Sequence, residues 1–188
     1  MHFLTDPEKS NEKLKEFSES HEAIYKTEND YWSFKLFDVR DMKLDDDFHE
    51  CARAVFAIPE DADEKLLLIK SHKRGWEFPG GHLTKEELLA KDLERALKRE
   101  VLEESGYEVS IKEICMVAII HNKKPAINKD LNCPYPERSI MLYYRSEVGD
   151  EVGEIFEHEV EESGLFSKED AKKLLTNRNT HIFSSLFE

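Results

Sequence analysis

The stretch Arg99-Glu100-Val101-Leu102-Glu103-Glu104-Ser105-Gly106-Tyr107 places three carboxylates just before a glycine. At about 100° per helical residue, Glu103 lies about 60° to one side of Glu100 and Glu104 about 40° to the other. Like charges at this spacing repel, and the helix C-terminus opposes each acid by about 0.3–1 kcal/mol. A bound divalent cation reverses the sign of these effects, because clustered carboxylate oxygens are ligands of Mg²⁺ and Mn²⁺. The stretch therefore predicts a metal site.

The helix that carries these acids has recognisable ends. Thr84 and Glu87 form a capping-box pattern, and Gly106 stands at the usual position just past a helix end. The sequence predicts one long helix between them, with an apolar stripe that packs on a sheet. The stripe consists of Leu89, Leu93, Ala96, Leu97 and Val101.

Elements on either side of this helix complete an α/β pattern. Aromatic and β-branched runs predict strands over 31–39, 52–58, 65–70, 109–111, 114–121 and 139–144. Helices are predicted from Pro7 through about Glu19, from Ser167 through Leu175, and over 180–187, with a loop over 122–138. Strands separated by helices indicate one layered α/β domain.

The composition restricts the partners. A net charge of −14 disfavours nonspecific binding to DNA or to an anionic membrane, because both require a basic surface. Cys51, Cys115 and Cys133 lie far apart without CxxC spacing, which argues against a disulfide framework and against a zinc site. The chain shows neither a secretory signal pattern nor a run of membrane-spanning length. We therefore expect a soluble, cytoplasmic protein with a small-molecule ligand.

With Gly81 ahead of it, the acidic stretch resembles the box of the Nudix hydrolase family, G-x5-E-x7-R-E-U-x-E-E-x-G-U, where U is apolar. The lead-in Trp76-Glu77-Phe78-Pro79-Gly80-Gly81 is also similar to that family. The resemblance implies the Nudix fold, a mixed β-sheet in an α/β/α sandwich. It assigns residues 51–188 to the Nudix domain and leaves 1–50 as an N-terminal extension, a candidate edge strand, sheet cover or homodimer interface.

The first half of the box departs from the family pattern. Eleven residues separate Glu87 from Arg99 where the pattern has seven, so the box carries a four-residue insertion. Four residues make about one helical turn, and the insertion is expected to lengthen the helix at its N-terminal end. Glu87 is the candidate for the isolated box glutamate, and a capping-box residue is an equally good interpretation.

The resemblance implies a role for each box residue. Glu100, Glu103 and Glu104 would ligate Mg²⁺ or Mn²⁺, and the Gly81 carbonyl would add an oxygen. Arg99 lies four residues before Glu103, so it can pair with a box carboxylate and fix its rotamer. The metal would neutralise a diphosphate, activate a water and steady the leaving oxygen.

The general base stays open at this point. Glu103 and Glu104 are candidates within the box, and Glu157 and Glu159 are candidates outside it, where the family often places the base.

Substrate contacts are expected close to the box. Lys73 and Arg74 belong to its densest basic cluster and could hold phosphates, although each alone also fits an exposed surface charge. Trp76 fits a core position as well as a substrate contact, and Arg138 is a candidate nucleotide contact.

The resemblance implies a metal-dependent hydrolase that cleaves a pyrophosphate bond in a nucleoside diphosphate linked to another moiety. The alternative is a Nudix-fold nucleotide-binding or sensor module without turnover. The insertion in the box is the feature that supports this alternative. An activity like that of isopentenyl-diphosphate isomerase would require a catalytic cysteine and a metal-binding histidine set, and the sequence has neither at convincing positions.

Overall fold

The computed structural model describes residues 7–44, 48–49, 51–125, 127–128, 133–134, 136–153, 155 and 158–188. Its helices are α1 (Pro7–Ser20), α2 (Lys85–Ala90), α3 (Leu93–Ser105), α4 (Lys168–Leu174) and α5 (Arg178–Phe187). Its strands are β1 (Tyr25–Glu28), β2 (Trp32–Asp38), β3 (Ala52–Glu60), β4 (Leu66–Ser71), β5 (Gly75–Glu77), β6 (Gly80–His82), β7 (Tyr107–Asn122), β8 (Ile127–Asn128), β9 (Cys133–Pro134), β10 (Arg138–Glu151) and β11 (Val160–Phe166).

Nine strands form one mixed sheet in the order β1-β2-β7-β10-β3-β4-β11, with β5 paired to β4 and β6 paired to β3. β3 and β10 run parallel, and the other pairs are antiparallel. β3 and β4 are buried along almost their whole length, because both faces of the central sheet are covered.

Two apolar clusters lie on the two faces of the sheet. The helix residues buried in the first cluster, from α1 and α3, are Leu14, Ala96, Leu97 and Val101. Those buried in the second cluster, at or beside α4 and α5, are Ala171, Leu175, Ile182 and Phe183. This arrangement is the predicted α/β/α sandwich.

The prediction of a single long box helix is wrong. Lys91 adopts a left-handed conformation with φ 56°, and its N–H donates to the Glu87 carbonyl, which ends α2. The Asp92 carboxylate accepts from the Arg95 N–H at 3.0 Å and starts α3. Asp92 caps a new helix better than it continues an old one, so the inserted turn becomes a separate short helix. Leu89 consequently leaves the apolar stripe and is 54% exposed.

Two further predictions need correction. Strands expected over 109–111 and 114–121 form one continuous strand, β7, because β10 pairs along its whole length despite register shifts. The segment expected to be a loop over 122–138 contains the short hairpin β8–β9. The predicted capping box at Thr84 and the glycine end at Gly106 are both confirmed.

The N-terminal segment joins the same sheet and the same core. β1 and β2 extend the sheet beyond β7, and Leu14 of α1 is fully buried. A domain boundary at residue 50 stays a prediction. Among the described residues, no helix has both the length and the apolar character to cross a membrane.

Candidate functional site

Gly80 and Gly81, the first two residues of β6, lie against the box helix α3. Glu104 is 6% exposed, and its Oε2 accepts a hydrogen bond from the Gly80 N–H at 2.7 Å. Glu100 lies against Gly81 so closely that a Cβ added there would stand 2.6 Å from Glu100 Oε2. A side chain at position 81 would therefore displace the Glu100 carboxylate.

Glu104 is the most perturbed carboxyl group of the site. Burial raises its pKa from the usual 4.5 to about 8, and the negative charges of Glu100 and Glu77 add to this rise. The Gly80 N–H and the positive charge of Arg74 lower the pKa but do not cancel the effect. The raised pKa of Glu104 therefore reflects first its burial and then the nearby charges of Glu100 and Glu77.

Glu77 is a residue of this site that the sequence did not single out. It ends β5 and is 4% exposed, and both of its oxygens accept from Arg74 Nε, at 2.8 and 3.1 Å. The sequence does contain a sign of its burial, because Glu77 stands between the aromatic residues Trp76 and Phe78, as expected of a buried segment.

Arg99 connects the other carboxylates of the box. Its guanidinium donates to Glu87, to Glu100 at 2.9 Å and to Glu103 at 2.9 Å. The hydrogen bonds to Glu87 raise the pKa of Arg99 most, so the guanidinium stays charged. It also donates to the His82 carbonyl at 3.2 Å, which ties α3 to β6.

Glu87 occupies the position expected of the isolated box glutamate. Burial opposes its ionisation, but hydrogen bonds from Arg99 and Thr84 outweigh burial and lower the Glu87 pKa. Oε1 and Oε2 accept from Arg99 at 2.8 and 3.0 Å, and Oε2 also accepts from the Thr84 N–H at 2.8 Å. Glu87 is thus both a capping-box residue and the partner of Arg99.

The three box acids do not converge on one point. Glu103 is turned outward, with a side chain 38% exposed, whereas Glu104 is turned inward to Gly80. Within the described ranges, no group of three or more His, Cys, Asp or Glu side chains has the geometry of a metal centre. The cause lies in the partners that the acids have, since Arg99 holds Glu100 and Glu103 and a backbone N–H holds Glu104.

The predicted substrate residues divide into two groups. Arg74 lies at the site through its contact with Glu77, whereas Lys73 is 70% exposed and pairs with Glu159 at 2.6 Å. Trp76 packs edge-on against Phe166, with ring centroids 4.7 Å apart.

Arg138 is turned away from the box. Its Nη1 donates to Asn11 of α1 at 2.6 Å and to Glu137 at 2.5 Å. Glu157, one candidate base, lies outside the described residues, whereas Glu159 is held by Lys73, whose hydrogen bond lowers the Glu159 pKa.

A cleft of about 180 Å³ is lined in part by His82 of β6. The sequence did not predict this cleft. It crosses β6, β3, β10 and β7 on the sheet face that α4 and α5 cover only in part. Its lining residues are Arg53, Ala54, His82, Ile120, Asn122, Ser139, Ile140 and Met141. His82 pairs with Ala54 of the second cluster and Gly81 with Val55 of the first, so the cleft lies on the opposite sheet face from α3 and its acids.

Comparisons with known proteins support the resemblance. A model of the NUDIX domain matches residues 51–186. The chain is similar in structure to the pyrophosphohydrolase BsRppH of Bacillus subtilis, with 22% identity over 76% of this chain and 77% of that chain and a TM-score of 0.54. It is also similar to a NUDIX hydrolase of Nitrosomonas europaea, with 18% identity, 71% and 86% coverage and a TM-score of 0.50.

A third similar structure is the NUDIX domain of Shewanella oneidensis NrtR, which was crystallised with ADP ribose. Identity is 16%, coverage is 79% of this chain and 90% of that chain, and the TM-score is 0.50. At these identities the structural likenesses show the fold, and comparison with curated proteins gives no match. The family model matches most of the sequence, and the sandwich and the box contacts described above agree with it. The chain therefore belongs to the Nudix hydrolase family, whose pyrophosphohydrolases act on phosphorus-containing anhydrides.

Proposed function

We propose that this protein is a divalent-metal-dependent hydrolase that cleaves the pyrophosphate bond of a nucleoside diphosphate linked to another moiety. The observation that carries the proposal is the cluster of three carboxylates, those of Glu77, Glu100 and Glu104, next to Gly80 and Gly81 of β6. A carboxyl whose pKa is raised first by burial and then by neighbouring acids is typical of a site that positive charge completes.

The side chains present fit a hard divalent cation. Glu100 and Glu104 offer carboxylate oxygens next to Gly81, and Glu103 offers another once its hydrogen bond to Arg99 is released. When bound, Mg²⁺ or Mn²⁺ would neutralise the diphosphate and lower the pKa of a bound water.

The other residues act by positioning and by holding protons. Arg99 stays in place because Glu87 holds it from the buried side, so it fixes the rotamers of Glu100 and Glu103 between turnovers. Arg74 lies close enough to lower the Glu104 pKa, and its guanidinium could also hold a substrate phosphate. Trp76 supports the loop through Phe166, and we assign no substrate contact to Lys73 or Arg138.

Glu104 is our choice among the candidate bases. It is buried next to Gly80 and is the box acid without an arginine hydrogen bond among the described contacts. Glu103 and Glu159 both have cationic partners, and their side chains are 38% and 50% exposed. The variant Glu157→Gln enters the same hydrolysis assay as the variants of the other candidate bases.

The test is a hydrolysis assay on the full chain. Protein stripped with EDTA is supplied with Mg²⁺ or Mn²⁺ and with a panel of nucleoside diphosphate derivatives, and nucleotide release is measured. We expect metal-dependent release from at least one compound, and loss of most of it in Glu103→Gln and in Glu104→Gln. Glu86→Gln is the matched control, because Glu86 is an exposed acid on α2. Unchanged turnover in both box variants would contradict the proposal.

One observation favours a second candidate, a nucleotide-binding or sensor module without turnover. In the described part of the chain the box acids are held apart by Arg99 and Gly80 rather than gathered. This candidate predicts a nucleotide-induced rise in melting temperature together with no product from any compound of the panel.

We propose a cytoplasmic location, no DNA or membrane partner and a small-molecule substrate. The net charge of −14 and the buried cysteines Cys51 and Cys115 support these assignments. We also propose residues 51–188 as the catalytic domain and 1–50 as its extension. Sedimentation of the purified chain tests whether that extension forms a homodimer.

A further inference from the structure

Glu77 lies on the same face of the sheet as the box helix. Glu77, Ile69 and Ser163 are register partners across β5, β4 and β11, so their side chains share one face. On that face the Ser163 hydroxyl donates to the carbonyl of the last residue of α3 at 3.0 Å. Besides burial, the charge of Glu77 raises the pKa of Glu104, and that of Arg74 lowers it. Glu77 and Arg74 therefore belong to the acidic site.

The contact between Arg74 and Glu77 uses only one of the three guanidinium nitrogens. Nε donates to both carboxylate oxygens of Glu77, at 2.8 and 3.1 Å. Nη1 and Nη2 of Arg74 make no hydrogen bond to any residue that the structure describes. The side chain of Glu77 is 6% exposed, whereas that of Arg74 is 50% exposed. The buried carboxylate therefore fixes the guanidinium, and the N–H groups of both Nη atoms are left for a ligand.

The turn between β4 and β5 sets the position of Arg74. Ser71 and Gly75 are register partners, so the loop between them is short and ends at Arg74. Gly75 has φ 76°, a left-handed conformation that leads the chain back into β5 and brings Glu77 to Arg74. A cation that is already positioned in this way loses less entropy on binding a ligand than a freely moving surface arginine.

We propose that Glu77 is the positioning residue of a phosphate anchor, in which Nη1 and Nη2 of Arg74 hold one phosphoryl group of the substrate. This inference rests on the proposed function, because it takes the diphosphate of the substrate to lie at the acidic site. Glu77 contributes its charge to the carboxylate cluster, but both of its oxygens are occupied by Nε. A planar guanidinium whose Nη groups are open binds phosphate oxygens in pairs.

Glu77 also keeps Arg74 from blocking the site. Arg74 acts on Glu104 through its charge, since among the described contacts it makes no hydrogen bond to a box acid. Without Glu77, the guanidinium would be free to pair with Glu104 and to take the place of the proposed cation. Because Arg74 and the box acids belong to one site, a substrate with two linked phosphoryl groups can place one group at each.

The first experiment measures binding without turnover. Isothermal titration in Mg²⁺ uses α,β-methylene-ADP and methylenediphosphonate, whose bridging carbon resists hydrolysis. We expect Arg74→Ala to weaken the binding of both compounds roughly 10- to 100-fold, because hydrogen bonds between charged groups are lost. Lys73→Ala is the matched control, since Lys73 is the adjacent cation of the loop, has a side chain 70% exposed and pairs with Glu159. An equal change in the two variants, or no binding to the unsubstituted protein, would overturn the inference.

The second experiment separates the arginine fork from its charge. Arg74→Lys keeps the positive charge but has neither Nε nor the paired Nη groups. We expect it to lose nearly as much affinity for methylenediphosphonate as Arg74→Ala. The side chain of Arg74 is half-exposed, so both variants should fold, and circular dichroism checks this. Full affinity in Arg74→Lys would show that charge alone is sufficient, which contradicts an anchor oriented by Glu77.

The third experiment assigns the role of Glu77 with a double-mutant cycle. Glu77→Gln leaves one acceptor oxygen and places an amide NH₂ where the second oxygen accepts from Nε. We expect binding of methylenediphosphonate to weaken roughly 2- to 10-fold in the otherwise unchanged protein, and not to weaken further in the Arg74→Ala protein. An equal loss in both backgrounds would make Glu77 a structural residue only and would overturn its positioning role.

Turnover of the same variants separates this inference from the proposed function. Metal-dependent hydrolysis with the same KM in Arg74→Ala as in Lys73→Ala refutes the phosphate anchor and leaves the hydrolase in place. Weaker binding in Arg74→Ala, without turnover of any compound by the unsubstituted protein, supports the phosphate anchor and refutes the hydrolase.

Discussion

Replacing Glu104 by glutamine should stabilise the metal-free protein while abolishing its hydrolase activity. The carboxyl is 6% exposed and lies within the influence of Glu77 and Glu100, so its negative charge is unfavourable when no cation is bound. A glutamine has nearly the same shape, and its amide oxygen can still accept from the Gly80 N–H. The substitution therefore removes a buried charge without removing the hydrogen bond.

The sign of the effect follows from the raised pKa. Below pH 4.5 the group is protonated in the folded and the unfolded protein, and ionisation costs nothing. Between 4.5 and about 8 the unfolded chain releases the proton more readily, so the free energy of unfolding falls as the pH rises. Above pH 8 the loss in the free energy of unfolding no longer changes with pH. At about 1.36 kcal/mol per pH unit, a pKa change from 4.5 to about 8 corresponds to a loss of up to about 5 kcal/mol.

The assay is thermal unfolding in EDTA at pH 5, 7 and 8.5. A change of 1 kcal/mol moves the melting temperature of a domain this size by about 2–4 °C. We expect Glu104→Gln to melt close to wild type at pH 5 and at least about 10 °C higher at pH 8.5. Glu103→Gln is the control, because its side chain is 38% exposed and the change only weakens a hydrogen bond to Arg99.

Excess Mn²⁺ should reverse the order, since only the wild-type protein keeps the carboxylate that binds the cation. A Glu104→Gln protein less stable than wild type at pH 8.5 in EDTA would refute the reasoning. It would mean that the buried carboxylate is already neutralised by groups of the protein itself.

Three further predictions concern the box and the core. Gly81→Ala places a Cβ 2.6 Å from the Glu100 carboxylate, so we expect roughly a 10–100-fold loss of metal affinity, measured by isothermal titration. Lys91→Gly should raise the free energy of unfolding by up to about 1 kcal/mol in urea titrations, because Lys91 has φ 56°. Lys98→Gly, inside α3, should lower it by about 1 kcal/mol, and a loss in both variants would indicate a continuous helix instead. Leu97→Ala should cost about 2–5 kcal/mol in the same titrations, since Leu97 is fully buried, and a loss below 1 kcal/mol would contradict its core position.

The sequence predicted the features that depend on local chemistry. The capping box of Thr84 and Glu87, the glycine end of the box helix at Gly106 and the cap of α4 at Ser167 each form where expected. These features are set by a side chain and a backbone group three or four residues away, so the chain needs no tertiary information to specify them.

Features that depend on contacts distant in sequence were not predictable. The burial of Glu77 depends on Arg74 and on the packing of β5 against β4, and the cleft depends on residues that four different strands bring together. The break in the box helix was readable in principle, because Asp92 is a good N-cap residue. The helical spacing of Leu89, Leu93 and Ala96 concealed it, since the period continues across the break although the helix does not.

The insertion leaves the core of the box unchanged for a geometric reason. The family pattern relates the isolated glutamate to the arginine through the helix between them, but the contact itself is made through space. In this chain the turn at Lys91 and Asp92 folds α2 back so that Glu87 still meets Arg99 with two hydrogen bonds. Because Arg99 is held from its buried side, the proposed metal site would require only Glu100 and Glu103 to change rotamers and exchange the guanidinium for a cation. In this chain, eleven residues between Glu87 and Arg99 are compatible with the contact because the break at Lys91 and Asp92 turns the chain between them.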